Sequence, residues 1–195
     1  MFSACEEGLF LVCRSTLIPV ETLGSRRVYV NPWVSVREDT IRRADGSTGI
    51  YAVVDTADIA VVVPMDGDRF HLVEQYRYPV AGRRWEFPSG SAEQSDASDA
   101  AVLARRELQE ETGLLATHLT VLGTLEVTPS MIAHRCMVFL ATEFSVGEPK
   151  RDPAEQDMRS AWFTRTEIER MIRDSQMVDA KSIAALTLLS LSAAT

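Results

Sequence analysis

The residues of this sequence best suited to chemistry are three glutamates, Glu107, Glu110 and Glu111, that stand close together. At 3.6 residues per turn, a helix would place Glu107 one turn before the other two, so all three carboxylates would project toward a common side. Like charges at these spacings oppose helix formation by about 0.2–0.5 kcal/mol per pair. A divalent cation would remove that repulsion, and Mg²⁺ prefers one or two carboxylates together with phosphate oxygens. The cluster predicts a metal site for phosphate chemistry; a solvated acidic helix face is the alternative.

The residues around these glutamates follow a distinctive order, which consists of Gly90, a loop, the predicted helix and the run from Arg106 to Leu114. This order resembles the signature of the Nudix hydrolases, in which a glycine, five residues, a glutamate and seven residues precede Arg-Glu-hydrophobic-any-Glu-Glu-any-Gly-hydrophobic. All nine positions from Arg106 to Leu114 match. The resemblance implies an α+β Nudix fold, with a mixed β-sheet sandwiched between helices, and Mg²⁺-dependent hydrolysis of a diphosphate bond, with Mn²⁺ as an alternative metal.

The first part of that signature departs from the family pattern. Counted back from Arg106, the family's glycine and first glutamate fall on Ala92 and Ser98. Counted forward from Gly90, the acidic position falls on Asp96, which indicates a two-residue insertion in the loop. Because of this insertion, a nucleotide-sensing module without catalysis is kept as an alternative function.

Two segments before the glutamate cluster extend the resemblance, 73–79 (Val-Glu-Gln-Tyr-Arg-Tyr-Pro) and 85–90 (Trp-Glu-Phe-Pro-Ser-Gly). They are similar to the ADP-ribose pyrophosphatase and nucleoside-diphosphate-sugar branch of the family. This branch implies an N-terminal β subdomain (1–54), a Nudix domain (55–195) and a homodimer. It also implies hydrolysis of ADP-ribose to AMP and ribose 5-phosphate; a GDP-sugar or other nucleotide pyrophosphatase is the alternative.

The resemblance assigns roles to matching positions of this chain. Glu107 and Glu111 are the expected Mg²⁺ ligands, together with the backbone carbonyl of Ser89. Glu110 is expected to act as a further ligand or to support the other two. Arg106 is expected to hold the carboxylates in place through charge-assisted hydrogen bonds, or else to form an ordinary ion pair with Glu110 four residues later.

Other roles fall outside the signature. The family carries its catalytic acid on a later loop, where the candidates lie between 148 and 157 and Glu155 is the choice. Arg77 is an expected pyrophosphate contact, with a plain surface arginine as the alternative. Glu86 is expected beside the metal or substrate, with a surface glutamate at a strand end as the alternative.

Two aromatic residues and one polar pair complete the candidates. Trp33 and Tyr51 could stack on a nucleobase, although such residues more often pack in a core or a dimer interface. Ser130 and His134 lack an evident third group to orient them, so nucleophilic catalysis is not favoured.

The elements that must position these residues can be read from hydrophobic patterns. Alternation predicts a strand over 27–38 and a hairpin through 44–46 into 49–54, followed by two buried strands joined at 65–68. The signature helix is expected to begin near 96–98 and to end at Gly113. Further strands are predicted at 119–127, 136–142 and 160–163, and helices at 166–174 and 180–192.

Composition limits the classes of partner and compartment. The net charge of −8 excludes a broad footprint on a nucleic-acid polymer, but a small nucleoside diphosphate derivative needs only a few arginines and a metal ion. Cys5, Cys13 and Cys136 are odd in number and irregularly spaced, which indicates free thiols. Acidic residues precede the apolar run near the start, which is the wrong charge for a secretory signal. Because no apolar stretch is long enough to span a membrane, we expect a cytoplasmic protein.

Overall fold

The computed structural model describes residues 20–91, 99–151 and 153–192, and its first part is a three-stranded antiparallel sheet in the order β1-β2-β3. Cys5, Cys13, Asp96 and Ser98 lie outside the described residues. The three strands are β1 (Glu21–Val30), β2 (Ser35–Arg42) and β3 (Thr48–Asp55). The predicted hairpin through 44–46 is confirmed as the connection between β2 and β3.

The single strand predicted over 27–38 is wrong, because the chain turns in its middle. The side-chain oxygen of Asn31 accepts hydrogen bonds from the backbone N–H groups of Trp33 (2.9 Å) and Val34 (2.8 Å). This local turn ends β1 at Val30 and lets β2 fold back against it. The alternating pattern continued across the turn, so hydrophobicity alone did not reveal the break.

A seven-stranded mixed sheet forms the second part. Its main order is β10-β5-β4-β9-β8, while β6 pairs with β5 and β7 with β4. β4 and β9 run parallel, and the other pairs are antiparallel. The strands are β4 (Ile59–Asp66), β5 (Arg69–Arg77), β6 (Gly82–Glu86), β7 (Ser89–Ser91), β8 (Leu114–Leu125), β9 (Cys136–Val146) and β10 (Arg159–Thr164).

Helices cover both faces of this sheet, as predicted. They are α1 (Ala100–Thr112), α2 (Arg165–Arg173) and α3 (Ala180–Ser192). Alternate residues of β4 serve the two layers: Ala60 and Val62 pack with α1, whereas Val61 and Val63 pack with α2 and α3. Burial of the centre of β4, from Ala60 to Val63, explains the continuous apolar run in its sequence. None of the helices in the described part of the chain is long and apolar enough to cross a membrane.

The ends of α1 are fixed by two capping residues. Asp99 accepts a hydrogen bond from the Ala101 N–H (3.0 Å), so the helix begins after the expected 96–98 region. Gly113 ends it with φ +76°, as predicted, and an added Cβ there would lie 2.5 Å from the Gly147 carbonyl oxygen. Glycine thus provides both the backbone conformation and the room for close contact with the chain after β9.

A buried histidine on β5 should make folding sensitive to acid. His71 is 6% exposed and packs against Trp162, with ring centroids 4.8 Å apart and the ring planes tilted by 43°. Burial, and secondarily the charge of Arg151, lowers the pKa of His71 from 6.5 to about 4. The folded state therefore holds His71 neutral, and stability that is complete above pH 6.5 is lost as the pH falls toward 4. We expect this group to cost about 2 kcal/mol of unfolding free energy between pH 7.5 and 5.0.

Urea denaturation of the wild type and His71→Phe at both pH values tests this expectation. Phenylalanine keeps the ring against Trp162 but cannot be protonated, so the variant should lose less stability on acidification. Equal losses in the two proteins would show that His71 does not carry the effect.

Candidate active site

The carboxylates of Glu107 and Glu111 meet the backbone of β7. The Ser89 N–H donates a hydrogen bond to Oε2 of Glu111 at 3.3 Å. An added Cβ at Gly90 would lie 2.2 Å from Cδ of Glu107, so only glycine leaves room for this carboxylate. The start of β7 and one face of α1 thereby bring Ser89, Glu107 and Glu111, three of the predicted site residues, together.

Burial of these carboxylates disfavours their charge. Glu111 is 3% exposed, and burial, followed by the negative charges of Glu155 and Glu107, raises the pKa of Glu111 well above its ordinary value. Burial likewise raises the pKa of Glu107 to about 7, although Arg106 acts to lower it. Glu111, which is buried, and Glu107, which is partly buried, therefore form an acidic pair whose ionised form needs positive charge.

Arg106 contacts both neighbouring glutamates on the rim of this pair. Its Nη2 lies 3.3 Å from Oε1 of Glu107, and its Nε lies 3.8 Å from Oε2 of Glu110. Arg106 therefore makes both expected contacts, the hydrogen bond to Glu107 and the ion pair with Glu110. The Glu110 side chain is 36% exposed, compared with 12% for Glu107, so it lies toward solvent.

Glu155 approaches the pair from a different part of the chain. It ends the short 3₁₀ turn Pro153–Glu155, between β9 and β10, and is partly buried. Its negative charge raises the pKa of both Glu107 and Glu111, which places it within electrostatic reach of each. Forty-four positions along the sequence separate Glu155 from Glu111, and packing of the connection against α1 brings them together.

The chemistry of this donor set fits a hard cation. Within residues 20–91, 99–151 and 153–192, no three His, Cys, Asp or Glu side chains converge closely enough to enclose a metal ion by themselves. Mg²⁺ does not require such a cage, because it binds through one or two carboxylates and completes its shell with water and phosphate oxygens. Buried Glu111 and partly buried Glu107, both with a raised pKa, lie beside the backbone of β7 and would supply such a partial shell.

Glu86 is buried beside the acidic pair and is not the surface glutamate of the alternative. It is 2% exposed, at the end of β6. Arg77 holds it in a two-pronged ion pair, in which Nε and Nη2 each lie 2.8 Å from one carboxylate oxygen. The side chain of Arg77 is still 41% exposed, so its outer edge faces solvent. The structure thus joins two predicted substrate contacts to each other.

Three residues near the start of α3 complete this network, and the sequence analysis missed them. Lys181 Nζ lies 3.4 Å from Glu86 and 2.8 Å from Asp179. The Ser182 hydroxyl accepts a hydrogen bond from the Phe87 N–H (2.8 Å) and donates to Asp179 (2.7 Å). Although burial opposes it, Lys181 lowers the pKa of Asp179. The available sequence signal was Lys181 between Asp179 and Ser182 at the start of a predicted helix. This signal did not identify Glu86 as the partner of Lys181.

The remaining candidates lie outside this cluster. Trp33 is 77% exposed in the turn after β1, and Tyr51 is 43% exposed on β3, so neither packs in the core of this chain. The Tyr51 hydroxyl donates to the Ser130 carbonyl oxygen at 2.6 Å. His134 Nδ1 lies 2.7 Å from the Thr56 hydroxyl.

Gly90→Ala should damage the site without disturbing the core. The added methyl group would occupy the position of the Glu107 carboxylate and displace it, and misplacement of a reacting group by about 1 Å costs up to about 100-fold in rate. In the diphosphate hydrolysis that the family resemblance implies, we expect kcat to fall at least about tenfold. Gly67→Ala, in the hairpin after β4, is the control: its φ of +62° makes it costly for stability, but open space surrounds it. Unchanged kcat in Gly90→Ala would show that the Glu107 position is not critical.

Comparisons with known proteins find relatives that match most of this chain. Residues 20–54 match the family model described as the nucleoside diphosphate sugar hydrolase N-terminal domain, and residues 55–186 match the NUDIX domain. The chain is 30% identical to an ADP-ribose pyrophosphatase of Mycobacterium tuberculosis over 166 residues, 84% of this chain and 80% of that protein. It is 26% identical to an ADP-ribose pyrophosphatase of Bacillus subtilis, over 88% of this chain and 92% of that protein. A solved structure described as an ADP compounds hydrolase has the same fold, with a TM-score of 0.78 at 20% identity over 88% of this chain and 92% of that one.

Proposed function

The chain belongs to the Nudix hydrolase family, and on that premise we propose that it hydrolyses ADP-ribose to AMP and ribose 5-phosphate in the presence of Mg²⁺. Membership makes it a Nudix pyrophosphohydrolase, a class that generally uses a divalent metal. The observation that carries the proposal is the placement of Glu107 and Glu111 beside the backbone of Ser89 and Gly90, within electrostatic reach of Glu155. The choice of ADP-ribose is supported by the two relatives that carry this activity in their names.

In the proposed mechanism, Glu107, Glu111 and the Ser89 carbonyl oxygen would hold Mg²⁺, which would neutralise phosphate charge and acidify bound water. Glu155 takes a proton from the attacking water. The water oxygen forms a bond to one phosphorus of the diphosphate, and the bond from that phosphorus to the bridging oxygen breaks. Arg106 keeps the Glu107 carboxylate oriented. The exposed edge of Arg77, backed by Glu86, would bind a phosphate oxygen of the substrate.

Hydrolysis of a substrate panel tests this function. The panel contains ADP-ribose, GDP-mannose, other nucleotide sugars and dinucleotides, each with Mg²⁺, with Mn²⁺ and with EDTA, and products are separated by chromatography. Release of AMP from ADP-ribose that requires the metal is the expected result. Preference for a GDP-sugar would show that the chain is a GDP-sugar pyrophosphatase. Metal-dependent binding without turnover would identify a sensing module.

The N-terminal sheet supports a second part of the proposal, a homodimer. Large apolar side chains are exposed on this sheet and its first turn, although they would normally be buried: Val28, Tyr29, Val30, Trp33 and Ile50. A second copy of the chain would cover them, and Trp33 and Tyr51 would then lie at or near the subunit boundary. Sedimentation equilibrium should give twice the 21.6 kDa chain mass. A monomer at micromolar concentration would refute the dimer while leaving the proposed reaction open to its own test.

Cellular location is the last part of the proposal. Cys136 is a free, buried thiol on β9, and free thiols are typical of reducing compartments. We place the enzyme in the cytoplasm on this basis, acting on small phosphorylated molecules rather than on nucleic-acid polymers.

A further inference from the structure

The connection between β9 and β10, which carries Glu155, is fastened to the end of α1 by its backbone. The Gly147 N–H donates to the Gly113 carbonyl oxygen at 2.8 Å, and the Lys150 N–H donates to the Glu110 carbonyl oxygen at 2.9 Å. The first half of the connection therefore has its position set by the helix that bears the acidic pair.

Arg151 continues this attachment at the level of Glu111. Its Nε donates to the Glu111 carbonyl oxygen at 3.1 Å, and its Nη1 donates to the Met158 carbonyl oxygen at 2.6 Å. The Gln156 side chain in turn donates to the Arg151 carbonyl oxygen at 2.9 Å. Arg151 thus links α1 to both sides of the 3₁₀ turn that presents Glu155.

Arg83 holds the far side of the same turn from a different strand. From β6, its Nε donates to the Glu74 carboxylate (2.8 Å) and its Nη1 to the Asp157 carboxylate (2.6 Å). Its Nη2 donates to the backbone carbonyl oxygens of Glu74 (3.1 Å) and Asp157 (2.8 Å). One planar guanidinium group therefore binds side chain and backbone of both partners, a geometry that lysine cannot reproduce.

We propose that Arg83 is a positioning residue for the hydrolysis reaction, which fixes the turn before β10 so that Glu155 faces Glu107 and Glu111. This inference rests on the proposed function, in which Glu155 accepts the proton of the attacking water. The hydrogen bonds of Arg83 go to Glu74 and Asp157, so its influence on the reaction passes through the connection and not through the metal ligands. Asp157 stands two residues after Glu155, and the buried Met158 follows it.

A double-mutant cycle with Arg83→Ala and Glu155→Gln tests the proposal in the full-length chain, with ADP-ribose and Mg²⁺. Arg83→Ala should lower kcat about 10- to 100-fold and change KM by less than about threefold, because misplacement of the proton acceptor affects the chemical step. Since Arg83 acts through Glu155, the double variant should be no slower than Glu155→Gln alone, within about threefold. A purely structural role would instead make the two losses multiply.

Two further variants control for folding and for charge. Asp157→Ala removes one partner of Arg83 from an exposed position, and should reproduce the kcat loss even if Arg83→Ala folds poorly. Arg159→Ala removes another arginine near Glu74, but its side chain is 74% exposed and lies 3.8 Å away, so it should leave kcat unchanged.

The outcomes separate this inference from the function on which it rests. Wild-type kcat in both Arg83→Ala and Asp157→Ala, or multiplying losses in the cycle, would overturn the positioning role while the enzyme remained active. A wild-type chain that hydrolyses none of the panel would refute the proposed function, and the positioning role with it. A wild-type rate in Glu155→Gln would refute Glu155 as the residue through which Arg83 acts.

Discussion

Glu111→Gln should reduce kcat for ADP-ribose by at least about 100-fold, the range measured when one preorganised electrostatic group is removed from an active site. Glu111 is the most buried of the three signature glutamates, and its carboxylate accepts a hydrogen bond from the Ser89 N–H. Glutamine keeps an oxygen for that hydrogen bond but loses the charge that would attract Mg²⁺. The loss should appear in metal-dependent turnover measured over a range of Mg²⁺ concentrations.

Although Glu111→Gln should lower kcat, it should not lower the melting temperature. This difference separates a loss of activity from a loss of folding. Burial raises the pKa of Glu111, so its ionised form costs stability above the ordinary carboxyl pKa. In EDTA at pH 8, the variant should therefore unfold at the same temperature as the wild type or higher. Mg²⁺ should raise the melting temperature of the wild type more than that of the variant.

Glu169→Gln provides the matched control for this experiment, because it makes the same chemical change at an exposed position on α2. It should retain the wild-type rate and the wild-type response to Mg²⁺. A Glu111→Gln enzyme with more than a tenth of the wild-type kcat would contradict the assignment of Glu111 to the metal.

Glu155→Gln should lower kcat about 10²- to 10⁴-fold, which is the usual contribution of general acid–base catalysis. Because the substitution spares Glu107 and Glu111, it should leave the stabilisation by Mg²⁺ close to that of the wild type. This combination distinguishes a proton acceptor from a metal ligand.

Glu148→Gln tests the choice among acidic residues of the same connection. Glu148 is exposed, while Glu155 is partly buried and lies within electrostatic reach of the pair. The enzyme with glutamine at 148 should keep its wild-type rate. A large loss of kcat in Glu148→Gln, together with normal turnover in Glu155→Gln, would assign proton transfer to Glu148.

The sequence determined those features that depend on residues close together along the chain. The run from Arg106 to Leu114 predicted the acidic helix, and Gly113 marked its end, because helical spacing and a left-handed cap are local properties. The apolar run from Ile59 to Val63 likewise predicted a buried strand, which the structure confirms as the centre of β4. The family resemblance then predicted the α+β sandwich that the helices and the mixed sheet confirm.

Contacts between distant segments were decided only by the tertiary structure. Lys181 meets Glu86 across 95 positions, and Arg83 meets Asp157 across 74. Neither partner could be chosen from sequence, because exposed and buried ion pairs use the same residue types. Glu86 accordingly kept a surface alternative until its burial was known. The chain's local patterns determine which helix can carry the acidic residues, but the packing of strands and loops around that helix determines which charges are buried together and hence their chemistry.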